Sequence, residues 1–354
     1  MLDAYGWSQA LQNEFTPHHA AGLLPGRVVL QQRGLYGLAT PAGELRGQIS
    51  GRLAREAPPG GYPAAGDWVA LSPEGEGEAT IHHVLNRRTA FVRKASGPGG
   101  GMQIVAANVD VAFLVASLNA DLNPRRLERY LAAAWQSGAA PVVLLTKAEI
   151  CEDVPGAIGD VEAFAGGAPV IALSSIRGEG LNAVLGHIPP GRTAVMVGSS
   201  GAGKSTLANA LLGEEHMVTR EIREADARGR HTTSHRELIL LPGGGLLLDT
   251  PGMRELGLWD SEEGLAATFE DIEAIAAHCR FGDCGHTNEP GCAVRAALEA
   301  GELDEGRWLG FQKLQRELTF LQSREDPALR AAKRREWVQI TKANRARYKQ
   351  RGRQ

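Results

Sequence analysis

The stretch that most constrains this chain is Gly198-Ser199-Ser200-Gly201-Ala202-Gly203-Lys204-Ser205-Thr206, which fits the spacing G-x-x-x-x-G-K-[ST]. The apolar run Thr193-Ala194-Val195-Met196-Val197 before it predicts a short buried strand. Leu207-Ala208-Asn209-Ala210-Leu211-Leu212 after it predicts a helix ending at Gly213. A strand feeding a glycine loop that opens a helix aims successive backbone N–H groups, and the positive end of the helix dipole, at one point. The glycines let the backbone approach a phosphate chain, Lys204 reaches the β- and γ-phosphates, and Ser205 can ligate Mg²⁺. A chance glycine-rich turn would have no reason to lie between a strand and a helix in register. The loop therefore predicts a nucleoside triphosphate site.

The sequence around the loop alternates strands and helices. Val109 to Ser117 and Pro141 to Thr146 are apolar strands, and Pro169 to Leu173 is a third. Asn123-Pro124 opens a helix that ends at Gly138. Strands that are apolar throughout and alternate with helices predict a multidomain α/β chain with a parallel sheet covered on both faces. Upstream, five short strands are expected within residues 27–32, 34–39, 44–49, 66–71 and 79–85, which suggests an N-terminal OB-like β-barrel. Such barrels bind single-stranded or structured RNA, or simply brace a neighbour where few aromatics are present. Residues 1–24 show little periodicity and are expected to pack on, or trail from, that barrel. Ser96-Gly97-Pro98-Gly99-Gly100-Gly101 is expected to be a flexible linker. The domains expected are an extension over 1–24, the barrel over 25–95, a phosphate-loop domain over 96–262 and a helical domain over 263–354.

Composition narrows the class. The 354 residues carry a net charge of −3, with 43% hydrophobic and 22% charged residues, as in an ordinary globular protein. No apolar run is long enough to cross a membrane, and the N-terminus lacks the pattern of a secretory signal, so a cytoplasmic, membrane-free protein is expected. Four cysteines do not make a disulfide framework in a chain of this size. Three of them fall in Cys279-x4-Cys284-x-His286-x5-Cys292. Three thiolates and one imidazole form the ligand set of a closed, structural Zn²⁺ site with no open position to activate water. The spacing favours His286 over His278, and Cys151 stands alone as a passive thiol. From Arg330 to the end, ten lysines and arginines face one glutamate, with Trp337 and Tyr348 interspersed. That concentration suits binding to a phosphate backbone, or else merely solubilises the tail.

Asp249-Thr250-Pro251-Gly252 fits the D-x-x-G element of GTP-binding proteins, and it follows a strand downstream of the phosphate loop. An Asn-Lys-x-Asp base-reading element should come later still, yet nothing after Gly252 resembles it. Instead Thr146-Lys147-Ala148-Glu149 stands at a strand end upstream of the loop, and Ser174-Ser175 ends the next strand. The pieces occur in rotated order, which still keeps them at the carboxyl ends of a parallel sheet, where ligands bind.

From these motifs, with the leading barrel and the cysteine-rich C-terminal region, nearly the whole chain resembles the circularly permuted GTPases that depend on the small ribosomal subunit, the RsgA family. The resemblance implies GTP hydrolysis stimulated by the small subunit, in late maturation of that subunit, with rRNA as partner. It also carries the same four metal ligands. The implied GTP-binding residues are Thr146, Lys147, Ala148, Glu149, Ser174, Ser175, Gly198 to Thr206, Asp249 and Gly252. Ser205 with Thr232 or Thr233 is expected to hold Mg²⁺, with Asp249 behind them. Two departures bear on base choice: Thr146 replaces the usual asparagine, and Glu149 the aspartate that pairs with guanine. Met253 follows D-x-x-G where Ras-like enzymes carry a water-orienting glutamine, so slow intrinsic turnover is expected. His231 is the nearest in-chain candidate catalytic residue, beside Arg230, though either suits an RNA-contact role equally well. The chain is expected to be monomeric. The alternatives are an RNA-binding switch module with little turnover and an ATP-preferring phosphate-loop enzyme.

Overall fold

The computed structural model describes residues 1–32, 34–94, 102–119, 122–213, 236–249 and 262–325. A short 3-10 turn, Leu2–Tyr5, leads to α1, Gln9–Ala20, which Ser8 caps through its hydroxyl. Leu11 and Phe15, one turn apart, bury the same face of α1. Trp7 stands edge-on to both Phe15 and Trp68, at 5.8 and 4.9 Å between centroids. The N-terminal segment is thus packed on the barrel. Its helix escaped the sequence reading because only two of its twelve residues are buried, too few to show a period.

The barrel consists of β1 (Leu24–Gln32), β2 (Leu35–Thr40), β3 (Gly43–Ile49), β4 (Trp68–Glu74) and β5 (Glu78–Val84), with α2 (Gly51–Glu56) after β3. Pairing runs β1-β2-β3-β5-β4 and returns to β1, closing the sheet around Val28, Leu38, Val69, Leu71 and Ile81. Closure leaves these short strands without open edges. All five expected strands are present, and the β3–β5 pair is the parallel one.

A hairpin comes next: β6 (Ala90–Lys94) pairs antiparallel with β7 (Met102–Ala107). The expected linker over 96–101 lies outside the described residues. Its flanks are strands that pair with each other, from Lys94↔Met102 to Ala90↔Ala107. These strands, of five and six residues, are too short to announce a pair in the sequence.

The central sheet follows in chain order as β8 (Val111–Ser117), α3 (Pro124–Ser137), β9 (Ala140–Thr146), α4 (Val154–Glu162), β10 (Val170–Ala172), α5 (Leu181–Gly186), β11 (Thr193–Gly198), α6 (Lys204–Leu212), β12 (Arg236–Leu240) and β13 (Leu246–Asp249). The strand order is β10-β9-β8-β11-β13-β12, the first five parallel and β12 antiparallel to β13. Every residue of β8 and β11 is buried, as expected for strands covered on both faces. One apolar cluster lies under α3 and α4, and the other under α5 and α6.

Edge strand β12 also pairs with β1 of the barrel, Leu30↔Glu237 and Gln31↔Arg236, which joins barrel and sheet. Arg27 seals this junction. Its fully buried guanidinium donates to the carbonyls of Tyr5, Gly66 (3.1 Å) and Asn108 (3.3 Å) and to Thr193 Oγ1 (3.0 Å), and it lies over Trp68. Burial pulls its pKa down to about 10, although Asp110 opposes the shift.

On the other flank stand α7 (Glu262–Thr268), α8 (Glu270–Ala276), α9 (Ala293–Ala300) and α10 (Glu305–Glu325). Phe269, Ile272, Val294, Trp308, Phe311 and Leu318 form their core. Gly264 of α7 meets α3 so closely that a Cβ there would lie 2.5 Å from the Ala132 carbonyl. Arg307 of α10 donates to Glu128 of α3 (3.1 Å) and to both oxygens of Asp271 (2.6 Å each), and it lies over the Phe269 ring. Among the described residues no helix is long and apolar enough to cross a membrane.

Candidate nucleotide site and metal centre

The phosphate-loop motif lies where strand–loop–helix logic places it. Gly198 ends β11 against β8, and a Cβ there would collide with the Val115 carbonyl, so only glycine fits. Gly201 and Gly203 have φ of 80° and 89°, the left-handed region that glycine enters without strain. Gly203 is the N-cap of α6, and Lys204 is its first residue. Lys204 Nζ donates to the carbonyls of Gly198 (2.8 Å) and Ser199 (2.5 Å), so the ammonium lies directly over the loop. With the amides at the head of α6, this makes a concentrated positive centre.

The upstream motif meets this loop directly. Thr146, at the end of β9 and buried, donates from Oγ1 to the carbonyl of Ala202 at 2.7 Å. Its partner lies 56 residues away in sequence. A Cβ on Gly203 would come within 3.3 Å of the same hydroxyl. The threonine in place of the usual asparagine therefore ties the upstream turn to the phosphate loop. Lys147 then takes the left-handed conformation (φ 62°), starting the 3-10 turn Ala148–Ile150. Ala148 N–H bonds the Leu173 carbonyl at 3.1 Å, which brings this turn against Ser174-Ser175.

At that junction the Ser174 hydroxyl donates to the Glu149 carboxylate and holds its pKa below the ordinary value, against a smaller opposing effect of burial. Two polar atoms there are shielded from solvent and have no hydrogen-bond partner: Glu149 Oε2 and Ser175 Oγ. Buried polar atoms are normally satisfied, so this pair of orphans on adjoining turns is a local exception in the packing. A base offering adjacent N–H donors suits a carboxylate acceptor.

Asp249 ends β13 beside β11, in a register that pairs Val195 with Leu248, at the same end of the sheet as the phosphate loop. The ends of β9, β10, β11 and β13 thus gather Thr146 to Glu149, Ser174-Ser175, Gly198 to Thr206 and Asp249 along one carboxyl edge. Arg230, His231, Thr232, Thr233, Gly252 and Met253 lie outside the described residues.

The second centre is the turn between α8 and α9. The ligand atoms of Cys279, Cys284, His286 and Cys292 all lie within 4.8 Å of one another, so the four can hold a metal ion. Cys279 and Cys292 sulfurs are 4.0 Å apart, and each is 3.6 or 3.5 Å from His286 Nδ1. A tetrahedral ion with metal–sulfur bonds of about 2.3 Å requires sulfurs about 3.8 Å apart, and these separations fit. His286 reaches the cluster through a left-handed backbone (φ 55°), and its ring meets Trp308 edge-on at 5.6 Å. Glu289 braces the turn by accepting from the N–H groups of Gly285, Thr287 and Asn288 at 2.8–3.1 Å. Backbone N–H groups, its own and that of Thr287 foremost, hold its carboxyl down to about 2. His278 bonds the Ala274 carbonyl, and Cys151 lies apart against the core of the sheet.

The sequence reading missed several polar residues that join the parts: Arg27, Asn108, Glu128 and Arg307.

A parallel sheet that carries a phosphate loop, with its base-side turns upstream of that loop and a closed barrel in front, is the fold of a circularly permuted GTPase. The comparisons agree. The structure resembles that of YjeQ from Thermotoga maritima, with a TM-score of 0.63 and 26% identity, covering 84% of this chain and 98% of that one. It also resembles YloQ, described as a circularly permuted GTPase, with a TM-score of 0.59 and 25% identity over 87% of this chain and 98% of that one. The model of the RsgA GTPase family matches residues 84–259. The small ribosomal subunit biogenesis GTPase RsgA of Opitutus terrae is 47% identical, aligned over 99% of each chain. The protein of the same name from Streptomyces avermitilis is 48% identical over 95% of this chain and 90% of its own. The chain belongs to the RsgA GTPase family.

Proposed function

We propose that this protein binds the small ribosomal subunit and its rRNA and hydrolyses GTP to GDP and phosphate as a late-stage maturation factor, slowly alone and faster on the subunit. The observation that carries the reading is the gathering of four motif segments on one sheet edge, with Thr146 hydrogen-bonded to the phosphate loop at Ala202. Relatives named small ribosomal subunit biogenesis GTPases, aligned over nearly the whole chain, support the choice of partner.

In this reading Lys204 and the amides from Gly198 to Thr206 hold the triphosphate, and Lys204 exchanges its carbonyl partners for phosphate oxygens. The Glu149 carboxylate accepts from the guanine N–H edge, while Ser174 fixes that carboxylate and Ser175 stands beside it. Lys147 and Ala148 line the same base. Ser205, Thr232 or Thr233, and Asp249 would hold Mg²⁺, with Gly252 at the γ-phosphate. Bound with GTP, Mg²⁺ supplies charge neutralisation between the β- and γ-phosphates. Phosphoryl transfer needs placement and charge stabilisation more than covalent chemistry, so a missing water-positioning side chain is felt as slow turnover. Met253 cannot orient water, and we assign His231 that role once the subunit is bound. Cys279, Cys284, His286 and Cys292 hold one structural Zn²⁺, the metal their three sulfurs and one imidazole favour. The basic stretch 330–354 contacts rRNA, and the protein works as a cytoplasmic monomer.

The test is GTP hydrolysis by the purified chain with and without small ribosomal subunits. Stimulation of at least about tenfold is expected; equal rates would overturn the reading. Competition of ATP against GTP for binding tests the base assignment, with GTP expected to win.

A further inference from the structure

The N-terminal segment is a strap across the seam between sheet and barrel. At its start Gly6 packs on Gly191, just before β11, so closely that a Cβ on Gly6 would lie 2.3 Å from the Gly191 carbonyl oxygen. Further along, Trp7, Leu11 and Phe15 lie against Trp68, Ala70 and Leu85 of the barrel. Beyond Phe15 no residue of α1 is buried. The last turn also lacks one helical hydrogen bond, because Pro17 has no N–H to give. That turn meets the barrel through imidazoles. The His18 ring lies 4.9 Å from the His83 ring of β5, tilted by 36°, and 5.6 Å from the Phe15 ring.

The charges that face His83 are unevenly matched. His82 stands beside it on β5, with Nε2 2.9 Å from the Ser72 hydroxyl of β4. Arg52 and Glu56 face it from α2, where they pair with each other at 2.8 Å. Glu14, one turn before His18 on α1, accepts from the Asn86 N–H at 2.7 Å. Partial burial holds the His83 pKa below the ordinary histidine value; His18, His82 and Arg52 push the same way, and Glu56 opposes them. Much of the His83 side chain stays open to solvent, so protons reach it.

Neutral imidazoles can lie ring on ring, whereas two imidazolium cations at that separation repel. We propose that the His18–His83 pair is a proton-sensitive latch, which holds the last turn of α1 on the barrel while the rings are neutral and releases it when both are charged. A histidine that takes a proton less readily docked than free supports docking fully above its ordinary pKa of about 6.5, and that support is lost as pH falls below it. Release leaves α1 held by Leu11, Phe15 and the Glu14 contact, while the start of the segment stays tied through the Tyr5 carbonyl to Arg27.

The experiment is hydrogen exchange on the full chain with Zn²⁺ present, at about pH 7.5 and about pH 5.5, read as protection factors corrected for the intrinsic effect of pH on exchange. Protection of the amides of residues 18–23 is expected to fall about fivefold at the lower pH, with β8 and β11 unchanged. His18→Gln and His83→Gln should each remove most of that fall, whereas His19→Gln, on the same turn but outside the pair, should keep it. Proton NMR of the imidazoles should place the His83 midpoint below the ordinary value and move it upward in His18→Gln. Equal protection at both pH values, a fall that survives in both variants of the pair, or a His83 midpoint indifferent to His18→Gln would overturn the proposal. A fall shared equally by β4 and β5 would overturn it as well, because the barrel rather than the strap would then be opening.

Discussion

The two junctions of this molecule are built on different principles. Barrel and sheet are joined through backbone: β12 pairs with β1, and Arg27 is spent almost wholly on carbonyl groups fixed by their own strands and turns. Sheet and helical domain meet helix on helix: α7 closes on α3 at Gly264, and beside that contact Arg307 spans Glu128 and Asp271 next to a cavity. A backbone ladder has one register and tolerates little adjustment. A junction of ion pairs beside a cavity can repack by rotamer changes. The first junction therefore acts as a frame for the nucleotide edge, and the second is the place to expect relative movement when a partner docks.

Five experiments follow from that contrast and from the two sites it frames. The largest effect is expected from metal removal. Chelation should abolish protection from hydrogen exchange in α8 and α9 while leaving β1, β11 and β12 protected, because a structural metal supplies much of the folding free energy of a small domain. Loss of protection throughout the chain would show that the two junctions are not separable. Next, Arg27→Ala leaves several buried acceptors unpaired at about 1–3 kcal/mol each, so a loss of at least about 3 kcal/mol in denaturant unfolding is expected. Arg307→Ala strands Glu128 in a buried position; it should cost about 2–3 kcal/mol, with α7 and α10 opening first by hydrogen exchange. If Arg307→Ala proved costlier than Arg27→Ala, the ranking of the junctions would reverse.

The fourth concerns Glu289, which braces the metal turn from outside. Glu289→Gln should weaken metal affinity about tenfold, read by competition with a chromophoric chelator. The pH sign follows from its depressed pKa: the bracing is complete above the ordinary carboxylate range and fades as pH falls toward about 2. Glu149, also depressed, should stay ionised through mild acid, so the preference for GTP over ATP should be flat from about pH 8 to about pH 5. A preference that declined across that interval would remove Glu149 from base recognition.

Much of the candidate site was legible because its parts are local. Gly198 to Thr206 announces its turn and helix within nine residues, and the cysteine–histidine set within fourteen. Apolar runs marked β8, β9 and β11, and glycine-punctuated alternation marked the barrel. Less legible were elements whose pattern is weak. Helix α1 buries only Leu11 and Phe15, and β6 and β7 are recognised as strands chiefly through each other. The roles of Thr146 and Glu149 were legible only as departures from a motif. That Thr146 reaches the phosphate loop, and that Glu149 Oε2 is left without a partner, required the packed chain.

The sequence by itself determined the apolar strands of the sheet, the short strands of the barrel, the rotated order of the nucleotide motifs, and the ligand set of the candidate metal centre. Each of these depends on residues close together along the chain, where spacing sets geometry. Tertiary structure alone decided how the parts are joined. Thr193 lies 166 residues from Arg27, Arg307 lies 179 from Glu128, and Arg236 lies 205 from Gln31. Contacts across such separations leave no period or spacing in the sequence. They exist only because the apolar strands collapse into one sheet, and that collapse buries polar groups which must then find partners wherever the fold has placed them.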